Sequence, residues 1–268
     1  IGEGLANATG KDVKHCIKQV DRLLSNNNFD IKILQNTYIL HVIGSQREIC
    51  VALDWTDFDK DNQSTLSLNL VTKHGRAIPL LFKTVSKSTL KGKTKEYEIQ
   101  LLKDFFTIIP ESISVTLLAD RGFIRTKCNI NITYNGITKP ALEWLENKNK
   151  PVLFKNVLFT NNNYNIQSFV VYWDKEMKGP WILVSNKNIT AKVMVKYYAK
   201  RWGIEPTFRD KKNAKYGLGL SETHISKPER RDRILFIASF TIFVMTTLGE
   251  FLAELGIDKK LRANTSKR

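Results

Sequence analysis

Two apolar runs in this sequence end on an acid: residues 49–54 (ICVALD) and residues 114–120 (SVTLLAD). An acid at the end of a buried strand costs desolvation unless a charge or a hydrogen bond compensates it. Taken singly, Asp54 and Asp120 each read as the cap of a turn or of a following helix. Taken together, on strands expected to be neighbours, they repel one another. A bound Mg2+ or Mn2+ resolves that repulsion while serving phosphoryl chemistry. A third acid, Glu205, lies in residues 197–213, YYAKRWGIEPTFRDKKN, where Tyr198, Arg201, Glu205 and Lys212 stand at offsets of 0, 3, 7 and 14. At ~100° per residue the four fall within about 60° of one another on a helix. A solvated charged face is the common fate of such a stripe. Tyr198 within it, flanked by Ile204 and Phe208, argues for more. Pro206 predicts a kink that turns Glu205 toward the two aspartates.

Other chemical signals are weaker. Asp57, Asp59 and Asp61 imitate the start of a calcium loop, but the sixth position is Asn62 and the twelfth is Leu68. Gly217 and Gly219 form a GLG too short for a nucleotide loop. Cys16, Cys50 and Cys128 are widely spaced and read as reduced thiols. The four histidines show no metal-ligand spacing. Lys and Arg number 42 against 26 Asp and Glu, a net charge of +16, which favours a polyanionic partner through counterion release. Residues 234–249 carry no charge but are shorter than the roughly 20 apolar residues of a spanning helix. A buried core helix is expected there, without a membrane partner.

The elements that must position these residues follow from periodicity. Residues 11–25 and 30–44 predict amphipathic helices. Strands are expected at 49–54, 65–72 and 76–85, the last two as a hairpin around His74-Gly75. A helix from about 96 to 109 stops at Pro110, and a strand covers 114–120. Residues 128–186 are β-rich and asparagine-rich, with strands at 129–134, 152–159, 166–173 and 180–185; from 190 onward the chain reads as helical. Three antiparallel strands, a helix and a fourth strand predict an α/β domain with a ribonuclease-H-like beginning.

The segments DWTDF around Asp54, DRGF around Asp120 and Y-x2-R-x3-E-x6-K from Tyr198 to Lys212 resemble the three motifs of the insertion-sequence-four family of bacterial DDE transposases. Within it, IEPTFRDKKNAKYGLGL (204–220) and KHCIKQVDRLLSN (14–26) are similar to the branch of the transposon Tn-ten enzyme. The resemblance implies cut-and-paste DNA transposition, by strand nicking, hairpin formation on the transposon end and strand transfer, with two Mg2+ ions, replaceable by Mn2+, held by Asp54, Asp120 and Glu205. It implies that Tyr198, Arg201 and Lys212 contact DNA phosphates, and that Trp181 stacks on an extruded base, an interaction worth ~1–3 kcal/mol. A buried strand tryptophan is an equal reading of Trp181. The implied partners are double-stranded DNA (terminal inverted repeats and target) and a second copy in a synaptic homodimer, in the bacterial cytoplasm at the nucleoid.

The resemblance sets the expected layout: a partial helical DNA-binding segment over 1–46, then a ribonuclease-H-like catalytic domain over 47–268. That domain carries a β-rich insertion at about 128–188 and C-terminal helices over 190–256. One departure stands out. Family members place a helix and a core strand after the second aspartate, yet only eight residues separate Asp120 from Asn129. A parallel crossover needs roughly 10–12. This, with a start lacking methionine, predicts a truncated chain with an internal deletion after about Lys127. The alternative function is then a non-catalytic DNA-binding remnant; another kind of ribonuclease-H-like nuclease would not carry the helical four-residue signature.

Overall fold

Leu66, Leu68 and Leu70 alternate with Thr65, Ser67 and Asn69, which gives one strand an apolar and a polar face. In the computed structural model, which describes residues 1–73, 76–119, 131–146, 149–159, 164–177, 179–257 and 260, both faces are buried. This strand, β2 (Gln63–Val71), pairs antiparallel with β1 (Glu48–Phe58) and β3 (Ala77–Ser86), and β4 (Ser114–Ala119) completes the order β3-β2-β1-β4. The buried polar residues are paired, as burial requires. Thr65 meets Thr84 at 2.8 Å, and the Asn69 amide donates to the Ser67 carbonyl at 3.1 Å. Between Leu68 and Asn69 the register slips by a residue, opposite Pro79. Proline is tolerated there because β3 is at the sheet edge.

The chain divides into two compact units, Ile1–Thr116 with Ile204–Arg268, and Leu117–Gly203. In the first, α1 (Gly2–Thr9), α2 (Val13–Ser25) and α3 (Ile31–Ile43) precede the sheet. The Asp12 carboxylate caps α2 by accepting the His15 N–H at 3.0 Å, and Asp30 caps α3 through Lys32 N–H at 2.8 Å. A short α4 (Lys87–Leu90) and α5 (Thr94–Ile108) follow β3, and α5 ends just before Pro110. Glu98 of α5 accepts the Trp55 indole N–H at 2.9 Å.

The long C-terminal helix α8 (Pro228–Glu254) begins with proline at its first turn, where no N–H is missed. Ile234, Leu235 and Ala238 join Leu24, Phe58, Phe82, Leu220 and Ile225 in a core cluster. Arg233 donates to the Leu24 carbonyl at 2.7 Å and so closes the end of α2. Asp232 accepts the Thr84 N–H at 2.8 Å, and burial pushes its carboxyl up to about 7. The expected buried helix over 234–249 is therefore half right. Burial ends at Ser239, and Phe240, Val244, Met245, Leu248 and Phe251 are exposed. An uncharged run does not by itself say that anything covers it.

In the second unit β5 (Asn131–Tyr134), β6 (Ile137–Pro140), β7 (Val152–Phe159), β8 (Tyr164–Tyr172) and β9 (Trp181–Ser185) form an antiparallel sheet in the order β6-β5-β7-β8-β9. Asn135 and Gly136, both at positive φ (50° and 79°), make the two-residue turn between β5 and β6. That is the turn chemistry an Asn-Gly pair favours. Tyr134, Trp144, Phe154 and Phe169 pack as an aromatic core. The helix α6 (Ala191–Ala199) packs on β9.

Candidate active site

Asp54 does not end its strand, as the sequence suggested. β1 runs on to Phe58, and Asp54 is half-buried within it, opposite Ser67 of β2. Its carboxylate accepts the Trp55 N–H at 2.8 Å. The strand continues because Trp55, Thr56 and Phe58 all favour extended backbone, and β2 supplies a partner through Gln63. β4 ends at Ala119; Asp120, next in sequence, lies outside the described residues.

The four-residue signature does not lie on one helix. α6 ends at Ala199, residues Lys200–Gly203 tighten into a 3-10 turn, and α7 (Ile204–Lys212) starts afresh. The predicted kink at Pro206 is a break placed before it. Pro206 becomes the third residue of α7, within the first turn, where a helix has no use for the N–H. Helical periodicity places the four residues on one face only along an unbroken helix, and the helix breaks between Ala199 and Ile204. Tyr198 and Arg201 belong to the second unit, Glu205 and Lys212 to the first.

α7 packs on β1 and β3, and polar contacts fix it. Thr207, 1% exposed, accepts the Ala77 N–H at 2.8 Å and donates to the Ala77 carbonyl at 3.1 Å, covering the start of the edge strand. Arg76 pairs with Asp210 at 2.6 Å. Lys212 donates to the Asp57 carbonyl at 2.5 Å, with its amine 5.2 Å from the Phe58 ring centre. Burial holds the Lys212 pKa below the usual lysine value, with Asp57 and Asp59 opposing the shift. Its neighbour Lys211 is buried outright, which, with the Lys212 charge, pushes its amine down to about 7. Glu205 is exposed in the first turn of α7, where the helix dipole favours a carboxylate.

The GLG that offers no nucleotide loop has a packing role. A Cβ on Gly217 would stand 1.9 Å from the Asp210 carbonyl oxygen. That closeness lets Leu218 donate to Asp210 at 2.8 Å and Gly219 to Asn213 at 3.0 Å, closing the end of α7. The three acids that imitate a calcium loop are engaged with cations. Lys87 pairs with Asp57 at 3.4 Å and with Asp59 at 2.6 Å, and Asp61 pairs with Arg231. Arg231 is a residue that sequence reasoning missed. Fully buried, it also donates to Gln63 Oε1 at 2.6 Å and lies 4.0 Å from the Phe58 ring centre, which fixes the end of β1. The signal was the RRDR run (230–233) heading an apolar helix, too charged for anything but a paired cluster.

In the second unit Trp181, Tyr198 and Arg201 come together. The Trp181 and Tyr198 rings meet edge to face at 4.8 Å, and the Arg201 guanidinium lies 5.7 Å from the Tyr198 ring centre. Trp181 is half-buried, with Tyr172 on the neighbouring strand 6.1 Å away. It is thus neither a free platform nor a sealed core residue. Among the described residues, no three His, Cys, Asp or Glu side chains gather as a metal site.

A family model described as a transposase DDE domain matches residues 46–243. No curated protein matches the chain.

Proposed function

The chain belongs to the transposase DDE domain family, whose members cleave and transfer DNA strands, and on that footing we propose that it catalyses cut-and-paste transposition of an insertion sequence. The observation that carries the reading is the packing of α7, which bears Glu205, on β1, which bears Asp54. Asp54, Glu205 and Asp120 are the catalytic carboxylates. Their all-oxygen, anionic donor set fits Mg2+, with Mn2+ as a substitute. When bound, a pair of such ions supplies an activated water or 3′-hydroxyl and stabilises the leaving oxygen. Asp54, on a strand inside the sheet, sets one donor rigidly; Glu205, at a helix start clamped by Thr207, sets another. Lys212, Tyr198 and Arg201 contact DNA phosphates, and Trp181 stacks on an extruded base. The sheet order β3-β2-β1-β4, with three antiparallel strands first, supports a ribonuclease-H-like core. Residues 1–46 are read as part of a DNA-binding segment, and the working assembly as a homodimer on paired transposon ends at the nucleoid. The branch of the Tn-ten enzyme remains the assignment, on the motif residues.

The second reading, a DNA-binding remnant without catalysis, is favoured by one observation. β4 ends at Ala119, and β5, in a different sheet, begins at Asn131. The interval barely matches the roughly 10–12 residues of one parallel crossover, so little remains for a further core strand. Incubation with an end carrying the element's inverted repeat, with and without Mg2+ or Mn2+, separates the two. Metal-dependent nicking that disappears in Asp54→Ala while end binding persists is the expected result. Binding with no cleavage under either metal would leave the remnant.

A further inference from the structure

The loop that follows α7 presents an aromatic ring that the proposed chemistry does not use. Tyr216 is 79% exposed, more than any other large apolar or aromatic side chain among the described residues. Its backbone, by contrast, is tightly held. The Asn213 side-chain oxygen accepts the N–H groups of Lys215 and Tyr216, both at 2.8 Å. On the far side, Gly217 presses against Asp210, and the Gly219 N–H donates to the Asn213 carbonyl at 3.0 Å. Leu220, 3% exposed, then joins the core cluster with Ile225 and Leu235. The loop is pinned at both ends, and Tyr216 stands out from a fixed base.

We propose that Tyr216 is a stacking platform for an unpaired DNA base, with Lys215 on a neighbouring phosphate. The inference rests on the DNA reading above and adds a contact to it. Charge selects a nucleic acid. Residues 208–216 (FRDKKNAKY) carry Arg209, Lys211, Lys212 and Lys215 against a single acid, Asp210, which Arg76 already pairs. The Lys215 amine lies 5.0 Å from the Tyr216 ring centre. An aromatic face flanked by lysines is the combination that holds single strands, cation for backbone and ring for base. Area argues against a protein partner. Tyr216 and Leu218, the exposed large apolar side chains of the loop, offer roughly 200–300 Å2, against about 800 Å2 per side in a specific protein interface.

Rigidity strengthens the contact. A base that stacks on a floppy loop must order that loop, whereas here folding has already done so. Reach sets where the base lies. Tyr216 follows Lys212 by four residues in sequence, at most about 14 Å of chain. A phosphate at Lys212 and a base at Tyr216 therefore belong to the same short stretch of strand. Trp181 belongs to the other compact unit and is a separate ring.

Fluorescence anisotropy of the full chain in EDTA tests it, on a DNA duplex with a thymidine overhang and on the same duplex with an abasic overhang. The two probes share every phosphate and differ in bases alone. The wild type should prefer the thymidine probe, and Tyr216→Ala should cut that preference about five- to hundredfold, the range of base–aromatic stacking. Tyr216→Trp, which keeps an aromatic face, should retain it. In Tyr216→Ala the slope of log affinity against log salt should not change, because stacking releases no counterions. Lys215→Ala should lower that slope by roughly 0.7–0.9 on both probes. Tyr216 is exposed, so the circular dichroism and urea midpoint of its variants should stay at wild-type values. A Tyr216→Ala variant that keeps the wild-type preference overturns the proposal, as does one that weakens both probes equally. A wild type that binds neither probe overturns it together with the DNA reading. Asp54→Ala should bind both probes as the wild type does, so loss of the platform and loss of the catalytic reading are separable.

Discussion

The two halves of the Tyr198–Arg201–Glu205–Lys212 signature are held by different physics. Glu205 and Lys212 ride on α7, which is fixed by directional polar contacts: Thr207 on both backbone groups of Ala77, Arg76 on Asp210, Lys212 on Asp57, and a backbone approach at Gly217 that leaves no room for a side chain. In the other half, the Tyr198 ring meets Trp181 edge to face and the Arg201 guanidinium lies against the Tyr198 ring. Hydrogen bonds and close backbone approaches fix a position within tenths of an ångström, which the role proposed for Glu205 beside other carboxylates would need. Aromatic edge-to-face contacts tolerate adjustment, which would suit the DNA contacts proposed for Tyr198 and Arg201. The α7 half should therefore be brittle, and the aromatic half forgiving.

Gly217→Ala is the most severe way to test that brittleness. The new methyl would sit on the Asp210 carbonyl oxygen, a backbone atom that cannot turn aside. The closing bonds of Leu218 and Gly219 should be lost, with destabilisation of at least about 3 kcal/mol in urea unfolding. A variant within about 0.5 kcal/mol of wild type would show that the α7 terminus is not clamped as described.

Lys211 probes the same helix with the opposite sign. Its amine titrates at about 7 in the folded chain against 10.5 as the ordinary value. Because the folded state sheds this proton first, stability rises with pH across that window and is lost as pH falls from 10.5 toward 7. Lys211→Met removes the charge and keeps the apolar stem. It should flatten the stability profile between pH 7 and 10 and gain about 2 kcal/mol or more at pH 7. An unchanged slope over that range would mean that Lys211 stays hydrated.

Much of this arrangement was legible in the residues, and its gaps have particular causes. Leucine alternation located β2 and its hairpin partner, and β7 emerged with the expected bounds, 152–159. The motifs brought Asp54 and Glu205 to packed elements, and the match to residues 46–243 agrees with the transposase family they indicated. What periodicity misread was continuity. Nothing at 100° per residue distinguishes a helix through Gly203 and Pro206 from one that stops and restarts, because the break depends on the residues after it joining another unit. Arg231 left only the charge of the RRDR run (230–233) as its signal, because its partners Asp61 and Gln63 are distant in sequence. The close approach at Gly217 is local, to Asp210 and Asn213, but it depends on how the chain turns after α7, which composition does not report.

Trp181 separates packing from DNA stacking most finely, and its effect on stability should be the smallest. Its ring is half-buried, in edge contact with Tyr198 and Tyr172. Trp181→Phe keeps an aromatic edge in that place, so stability should fall by no more than about 1 kcal/mol, whereas Trp181→Ala should lose about 2 kcal/mol with the contacts. If the ring also receives an extruded base, the Phe variant should retain a reduced fraction of hairpin formation on a transposon end, and the Ala variant should lose it at unchanged nicking. A purely structural ring predicts otherwise: nicking and hairpin formation would decline together, in proportion to the folded fraction. Measuring both steps at a urea concentration where the two variants are equally folded decides between them. A parallel decline would leave Trp181 as the anchor of Tyr198 and remove it from the set of DNA contacts.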